Sequence, residues 1–477
     1  MAHGRTRLIA PLLATLVAGC ATAGPGWHGP LPVAPAAAAR GGFVRAPAGT
    51  AAAEPAARWW AALGDPLLDD VIARALVGSP DLAAAQARIA QARAALAETR
   101  SARVPSLGVG ALAGEASLPG GLLGRDTRLS EQIYSDNFQA SWELDLFGTT
   151  RRRIESAADR ASAAEASAAD SAVALSAQVA QVYVGLREQQ ASAALLDRQV
   201  DADQRLLDHA RQRVAAGTAP AQSVDTALSA LAQSRTDAAT AHAQILIQAD
   251  QLAVLCGAEP GTFDALAMTP AALPQVPAAV AVGDPARLLR HRPDIRAAEY
   301  QLAAANADLG ARIADRLPKI SFTGVLGLGG TTPGAAFNPG TLIALIVPQI
   351  KWTLFDGGRA AAQVRNARGA RDEAEAHYRA RVLAALGDAE AALARFGTAR
   401  VALANAAQAR DAAGHSAQLQ SGRADAGTLS RADALLAERQ VWRAQLALVA
   451  AQAQMTRAFI AVQTALGLGW ERAEPPK

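Results

Sequence analysis

The chain has 477 residues and a formal net charge of +3, so its charge does not imply a strongly basic stripe of the kind that binds nucleic acid. Hydrophobic residues make up 51% of the chain but aromatic residues only 4%, and this alanine-rich composition favours long, closely packed helices over a β-sandwich, collagen or a disordered chain. Two cysteines exclude a disulfide framework, and no long uncharged apolar run after the N-terminal region predicts a bundle of membrane-spanning helices.

The first residues are typical of an export signal. Residues 1–19 have an arginine-containing start and a short apolar core over 8–17, which predicts a secretory signal peptide. The run Leu16-Val17-Ala18-Gly19-Cys20 is similar to a bacterial lipobox, in which the cysteine thiol receives a lipid. By the same similarity, Ala21 favours the outer membrane as the destination. The alternative is an ordinary signal peptide with a chance cysteine.

Residues 20–57 are rich in alanine, proline and glycine without a period. This composition predicts a tether that is extended or loosely wrapped on the body, and the similarity to a lipobox implies that it is lipidated at Cys20.

The rest of the chain contains one pattern twice. Several landmarks recur in the same order at an offset of about 210 residues, which indicates a tandem duplication. They are Ser79-Pro80-Asp81-Leu82 with Arg292-Pro293-Asp294-Ile295, Trp142–Gly148 with Lys351–Gly358, and Gly217-Thr218 with Gly427-Thr428. We therefore divide the chain into repeats 58–270 and 271–470, with a tail over 471–477.

Each repeat is predicted to contain a helix, two strands, a long helix and a returning helix. The first repeat has helices over 66–78 and 80–103, strands over 106–114 and 138–146, a long helix over 149–216 and a return to about 256. The second has a helix over 293–316, strands over 319–328 and 341–355, a long helix over 359–424 and a return over 429–466. Glycines in the second long helix predict breaks or bends.

The strand at 138–146 alternates strictly. Phe138, Ala140, Trp142, Leu144 and Leu146 share one face, and Gln139, Ser141, Glu143 and Asp145 share the other. In a membrane barrel this alternation places the apolar face in lipid and the polar face in water. We therefore expect Trp142, Glu143, Asp145 and the corresponding Trp352 to belong to membrane strands and their lumen.

The lipobox, the duplication and the runs Trp142–Gly148, Leu354–Arg359 and Arg292–Arg296 together resemble the TolC-like outer-membrane factors. The closest resemblance is to the lipoprotein branch that serves resistance-nodulation-division (RND) efflux pumps, and it covers about residues 58–470. It implies a mainly α fold with a membrane β-barrel. In that family, a homotrimer forms a 12-stranded β-barrel on a long periplasmic α-helical barrel.

The strand count agrees with an oligomer. Four strands cannot enclose a lumen, because small barrels filled by side chains already need about eight. Open strand edges are not tolerated in lipid, so the strands must be completed by other copies.

Two turns are predicted where each long helix meets its returning helix. On the residues alone, Gly217 and Gly427 are routine glycines that close a helix. By the resemblance, Gly217-Thr218 and Gly427-Thr428 contact a periplasmic adaptor.

The resemblance also implies a periplasmic gate formed by Asp433 and Arg439. Leu436 departs from the family, in which many members carry a second aspartate at this position, so a single acidic ring is expected. The alternative is that both residues are solvated surface charges. Because Arg439 follows Asp433 by six residues, it is expected to reach a neighbouring helix.

The predicted function is a passive exit duct that takes small molecules such as drugs from an inner-membrane pump. Its expected partners are other copies of itself, an adaptor, the pump and outer-membrane lipid. No nucleic acid, metal or cofactor is expected beyond the lipid on Cys20. The sequence has no HExxH, GxSxG or phosphate-binding loop, which argues against an enzyme. The alternatives are a duct for type I protein secretion and a periplasmic structural lipoprotein.

Overall fold

A computed structural model describes residues 22–118 and 129–470. The chain forms two compact units, and each unit takes residues from both repeats. Of the described residues, the first unit contains 22–31, 88–118, 129–164 and 297–378, and the second contains 32–87, 165–296 and 379–470. Cys20 lies outside the described residues.

The first unit contains a four-stranded antiparallel sheet with the strand order β1-β2-β3-β4. The strands are β1 (Ser106–Leu118), β2 (Leu129–Leu144), β3 (Lys319–Gly330) and β4 (Leu342–Lys351). The middle pair, β2 and β3, joins the two repeats. One repeat therefore cannot form this sheet without the other.

Within residues 22–118 and 129–470, seven helices are longer than ten residues. They are α1 (Pro66–Gly78), α2 (Pro80–Ser101), α3 (Thr149–Ala215), α4 (Gln222–Leu255), α5 (Pro293–Ala314), α6 (Arg359–Asp425) and α7 (Arg431–Ala465). Shorter elements are the helices Pro35–Ala38, Asp264–Met268 and Pro285–His291, the 3-10 turns Trp59–Leu63, Pro333–Phe337 and Pro339–Thr341, and the paired two-residue strands Thr50–Ala51 and Val280–Ala281.

Several strand boundaries differ from the prediction. β1 continues to Leu118, past 114, and β3 continues to Gly330, past 328, because both strands keep pairing with β2. β2 begins at Leu129, well before 138, because its first residues pair with β1 although they do not alternate in polarity. β2 ends at Leu144, short of 146, and Gly148 then turns the chain with φ +81°. β4 ends at Lys351, short of 355, ahead of Gly357 and Gly358 at φ +66° and +88°.

The long helices lie close to their predicted bounds. α3 and α6 each contain 67 residues. α6 is continuous through all its glycines, so the predicted interruption is wrong. An interior glycine lowers helix stability by only about 1 kcal/mol relative to alanine. The many alanines and arginines around these glycines have high helix propensity, so the helix continues past them.

The second unit encloses the main aromatic core and a buried polar network. Trp59 packs edge-on against Phe459 with ring centroids 6.0 Å apart. Arg187 is fully buried and donates to Gln190 Oε1 at 2.8 Å and to the Tyr183 hydroxyl at 3.0 Å. Tyr183 in turn donates to Asp65 at 2.7 Å, so the network ties α3 to the residue that caps α1.

The repeated Pro-Asp landmark has a structural role in the second unit. Arg292 forms a bidentate pair with Asp294 at 2.9 and 2.7 Å and donates to the carbonyl of Ala465, the last residue of α7, at 2.7 Å. The motif therefore closes the end of α7 while it begins α5.

Candidate functional site

The sheet has one apolar face. The strand register places the even-numbered residues of β2, β3 and β4 on the same side as the odd-numbered residues of β1. Large hydrophobic side chains on this face are exposed: Leu107, Val109, Phe138, Leu326, Leu342, Ile346 and Ile350. The opposite face is mostly small or polar, except for exposed residues such as Leu112, Ile343 and Leu345. So much exposed apolar surface is typical of a sheet in a membrane barrel and unusual for a sheet that faces water.

Trp142 and Glu143 lie on opposite faces of β2. Trp142 stacks on its cross-strand partner Phe322 with ring centroids 6.0 Å apart, on the apolar face. Glu143 points the other way, and its Oε1 lies 3.4 Å from Nζ of Lys319. The predicted alternation is therefore present at these two residues.

Asp145 does not extend the polar face of the strand as the sequence predicted, because β2 has already ended. Its carboxylate accepts hydrogen bonds from the N–H groups of Thr150 at 3.1 Å and Arg151 at 2.8 Å. These are orphan donors in the first turn of α3, so Asp145 caps that helix.

The second repeat has the same device. Asp356 accepts from the N–H groups of Gly358 at 3.0 Å and Ala360 at 2.8 Å at the start of α6. These hydrogen bonds, with that of Ala360 contributing most, lower the pKa of the Asp356 carboxyl. A similar carboxylate thus precedes the long helix in both repeats.

Trp352 lies one residue past the end of β4. Its indole N–H donates to the carbonyl of Arg316 at 3.2 Å, and the residue is 56% exposed. In the first repeat, the indole N–H of Trp142 donates to the carbonyl of Arg103 at 3.1 Å. Both tryptophans therefore hold the segment that leads into the first strand of their own repeat.

The two predicted turns have the same geometry. Gly217 and Gly427 have φ +69° and +72°. The N–H of Thr218 donates to the Arg213 carbonyl at 2.8 Å, as that of Thr428 does to Arg423 at 2.9 Å. Each threonine hydroxyl donates to the same carbonyl at 3.0 Å. This is the Schellman pattern that ends a helix, and the glycine and threonine of each turn are exposed.

Asp433 lies in the first turn of α7 and takes part in its cap. The Ser430 hydroxyl donates to Asp433 Oδ2 at 2.6 Å and accepts from the Asp433 N–H at 3.1 Å. This reciprocal pair resembles a capping box. Asp433 is exposed, and its negative charge interacts favourably with the positive end of the α7 helix dipole.

Arg439 reaches a different helix. Its Nη1 lies 3.4 Å from Oδ1 of Asp203 on α3, and Asp203 is 1% exposed. Sequence reasoning missed Asp203, because one aspartate on a long polar helix has no distinguishing pattern. One turn further along α7, the guanidinium of Arg198 on α3 lies over the Trp442 ring, 5.4 Å from the ring centroid, in a cation–π contact.

Among residues 22–118 and 129–470, no group of three or more histidine, cysteine or acidic side chains is placed to hold a metal ion. Within those same ranges, no helix is both long and apolar enough to cross a membrane.

The sequence matches a known family over most of its length. The family described as "Outer membrane efflux protein" matches residues 71–258 and 285–468. The pyoverdine export outer membrane protein OpmQ of Pseudomonas aeruginosa is 30% identical over 96% of this chain and 97% of its own. The solvent efflux pump outer membrane protein SrpC of Pseudomonas putida is 30% identical over 85% of this chain and 86% of its own.

Solved structures agree. The outer-membrane channel OprN superposes with a TM-score of 0.83 at 29% identity, covering 94% of this chain and 99% of its own. The outer membrane protein VceC of Vibrio cholerae superposes with a TM-score of 0.78 at 25% identity, covering 88% of this chain and 100% of its own. The chain belongs to the outer membrane efflux protein family, and it is a TolC-like outer-membrane efflux channel rather than an enzyme.

Proposed function

We propose that three copies of this chain form a passive exit duct with one 12-stranded barrel. The support is the sheet itself: among the described residues, β1 and β4 each pair on one side only. Unpaired backbone groups at such edges are costly in lipid, and pairing β1 of one copy with β4 of the next removes them.

The amino terminus provides the lipid anchor through Cys20. The first described residues support this placement because they bind where the sheet meets α3. The Thr22 hydroxyl accepts from Arg151 Nη1 at 2.9 Å, and the Ala23 N–H donates to the Phe147 carbonyl at 3.0 Å. A lipid on Cys20, two residues before Thr22, would therefore be close to the end of the strands that adjoins α3.

The Gly217-Thr218 and Gly427-Thr428 turns contact the tips of a periplasmic adaptor, which links this channel to an RND-type inner-membrane pump. Their exposure and their shared backbone geometry support a repeated contact of one kind. Transport energy comes from the pump, because the sequence contains no nucleotide-binding motif.

The periplasmic gate consists of Asp433 and the ion pair between Arg439 and Asp203. The pair joins α7 to α3, so closing and opening would make or break it. Burying the Asp203 carboxylate without a cation is unfavourable. The closed arrangement, in which Arg439 pairs with Asp203, is therefore favoured over an open one without the pair.

The cargo is small molecules rather than secreted protein. Relatives are named for solvent efflux, toluene efflux and pyoverdine export, all of which concern small compounds. These names favour efflux over type I secretion and over a purely structural lipoprotein.

The observation that carries the proposal is the exposed apolar face between two unpaired edges. Native mass spectrometry of the detergent-solubilised full chain should give a trimer, and a stable monomer or dimer would contradict it. In a Cys256→Ala background, Glu143→Cys should react with a membrane-impermeant thiol reagent much faster than Trp142→Cys. Equal labelling would show that the two faces are not lipid and water.

A further inference from the structure

Each repeat contains an arginine and a tryptophan held together at the same end of the sheet. We call these the two Arg–Trp pairs: Arg103 with Trp142 and Arg316 with Trp352. In both, the indole N–H donates to the backbone carbonyl of the arginine, at 3.1 and 3.2 Å. The hydrogen bond uses the main chain, so it leaves both guanidinium groups available.

The guanidinium groups of the two pairs have no carboxylate partner among the described residues, and both arginines are exposed. Nearby acids are already engaged. Asp315 is approached by Arg153 at 3.1 Å, Lys319 at 3.0 Å and Arg312 at 3.6 Å.

Two further acids at this end, Asp145 and Asp356, are occupied in capping α3 and α6. Arg103 and Arg316, whose carbonyls bind the two tryptophans, therefore carry positive charges that no described carboxylate neutralises.

The position matches the boundary between hydrocarbon and headgroups. Trp142 lies on the apolar face of β2 two residues before its end at Leu144, with Phe322 beside it, and Trp352 follows the apolar Ile350 of β4. Amphipathic indole rings concentrate at this depth in membrane proteins. Thr22, which adjoins the proposed lipid anchor, also binds at this end of the sheet through Arg151.

We propose that the two Arg–Trp pairs bind the headgroup phosphate of anionic phospholipid, such as phosphatidylglycerol, in the periplasmic leaflet of the outer membrane. The indole ring packs against the glycerol and upper acyl chain, and the guanidinium donates two hydrogen bonds to phosphate oxygens. The inference rests on these strands spanning the outer membrane. In a trimer, the two repeats would provide such sites all around the barrel.

The test is a lipid titration of the purified full chain by native mass spectrometry, with phosphatidylglycerol and phosphatidylcholine of identical acyl chains. Wild type should bind phosphatidylglycerol more tightly. Arg103→Gln/Arg316→Gln keeps both carbonyl acceptors and should lose about fivefold of that preference for each arginine removed. The matched control is Arg379→Gln/Arg395→Gln, which removes two exposed arginines of α6 and should keep the preference.

Unchanged preference in the Arg103→Gln/Arg316→Gln variant, or an equal loss in the control, would overturn the assignment. Displacement of the lipid by millimolar inorganic phosphate would also overturn it, by showing a site for free anions. If the double variant does not assemble, the single variants carry the test, and each should lose about half of the effect on a logarithmic scale. The trimer is read from the same spectra, so a failure of assembly is distinguished from a failure of lipid binding.

Discussion

The guanidinium of Arg439 on α7 lies 3.4 Å from the carboxylate of Asp203 on α3, and only 1% of Asp203 is exposed to solvent. Among the described residues, neither Asp203 oxygen has a hydrogen bond of good geometry. The ion pair with Arg439 is therefore the main compensation for a buried charge.

Arg439→Met should open the channel. It leaves the Asp203 carboxylate buried without a cation, which destabilises such an arrangement by roughly 3–5 kcal/mol. Single-channel conductance in planar bilayers should rise, and cells should admit large antibiotics such as vancomycin. In Asp203→Asn/Arg439→Met the unpaired charge is gone, so thermal stability should recover while conductance stays high. Wild-type conductance in both variants would place the constriction elsewhere.

Asp433→Asn and Ser430→Ala separate charge from capping at the start of α7. Asp433→Asn keeps a side-chain oxygen for the Ser430 hydroxyl but removes the charge, so conductance should rise with little change in melting temperature. Ser430→Ala keeps the charge and removes the cap, which should cost about 1 kcal/mol of stability. If only Ser430→Ala changes conductance, Asp433 acts through the helix end and not as a charged ring.

Valine at both turn glycines should abolish adaptor binding. Gly217 and Gly427 have left-handed φ values, and an L residue there costs roughly 1–2 kcal/mol. Gly217→Val/Gly427→Val should leave the trimer intact but prevent co-purification with the adaptor. Asparagine tolerates this conformation, so Gly217→Asn/Gly427→Asn is the matched control and should retain binding. Retained binding by the valine variant would mean that the adaptor contacts other residues.

Asp159 on α3 should make stability depend on pH. Burial, with a smaller contribution from Glu155, raises its pKa to about 6. Because the folded-state pKa is above the ordinary value of 3.8, the protonated Asp159 carboxyl contributes to the free energy of unfolding. This stabilising contribution is fully present below pH 3.8 and is lost as the pH rises through about 6.

Asp159→Asn should therefore raise the melting temperature at pH 7.5 and leave it unchanged at pH 4. Melting curves across this range test the sign, with the exposed Asp388→Asn on α6 as control. A larger gain at pH 4 than at pH 7.5 would show that the carboxylate is stabilised rather than penalised in the folded protein.

The helices and most strand positions follow from sequence because their signals are local. Pro66, Pro80 and Pro293 start helices as predicted, since a fixed φ and a missing N–H suit the first helical turn. The beginning of β2 did not follow, because residues from Leu129 onward pair with β1 without alternating in polarity.

The candidate site was predictable only in part. Asp145 continues the period of two in sequence, so its capping role appears only once β2 is seen to end at Leu144. The signal that could have found it is an aspartate shortly before a glycine and a long helix, present again at Asp356. Asp203 depends on a contact with Arg439, more than 200 residues away, which no local pattern encodes.

The two hairpin turns are alike, but the helices that leave them are not. α4 begins after Pro220 and Ala221 without a side-chain cap, whereas α7 begins with Ser430 bonded to Asp433. Asp433 and Arg439 lie on α7, and the buried partner of Arg439, Asp203, lies on α3 of the other hairpin. In a ring of three copies, hairpins whose returning helix has no side-chain cap would thus alternate with hairpins whose returning helix is capped and carries Arg439. Such a channel would change its aperture by moving every second hairpin, while the others stay in place as a fixed frame on which the adaptor can remain seated.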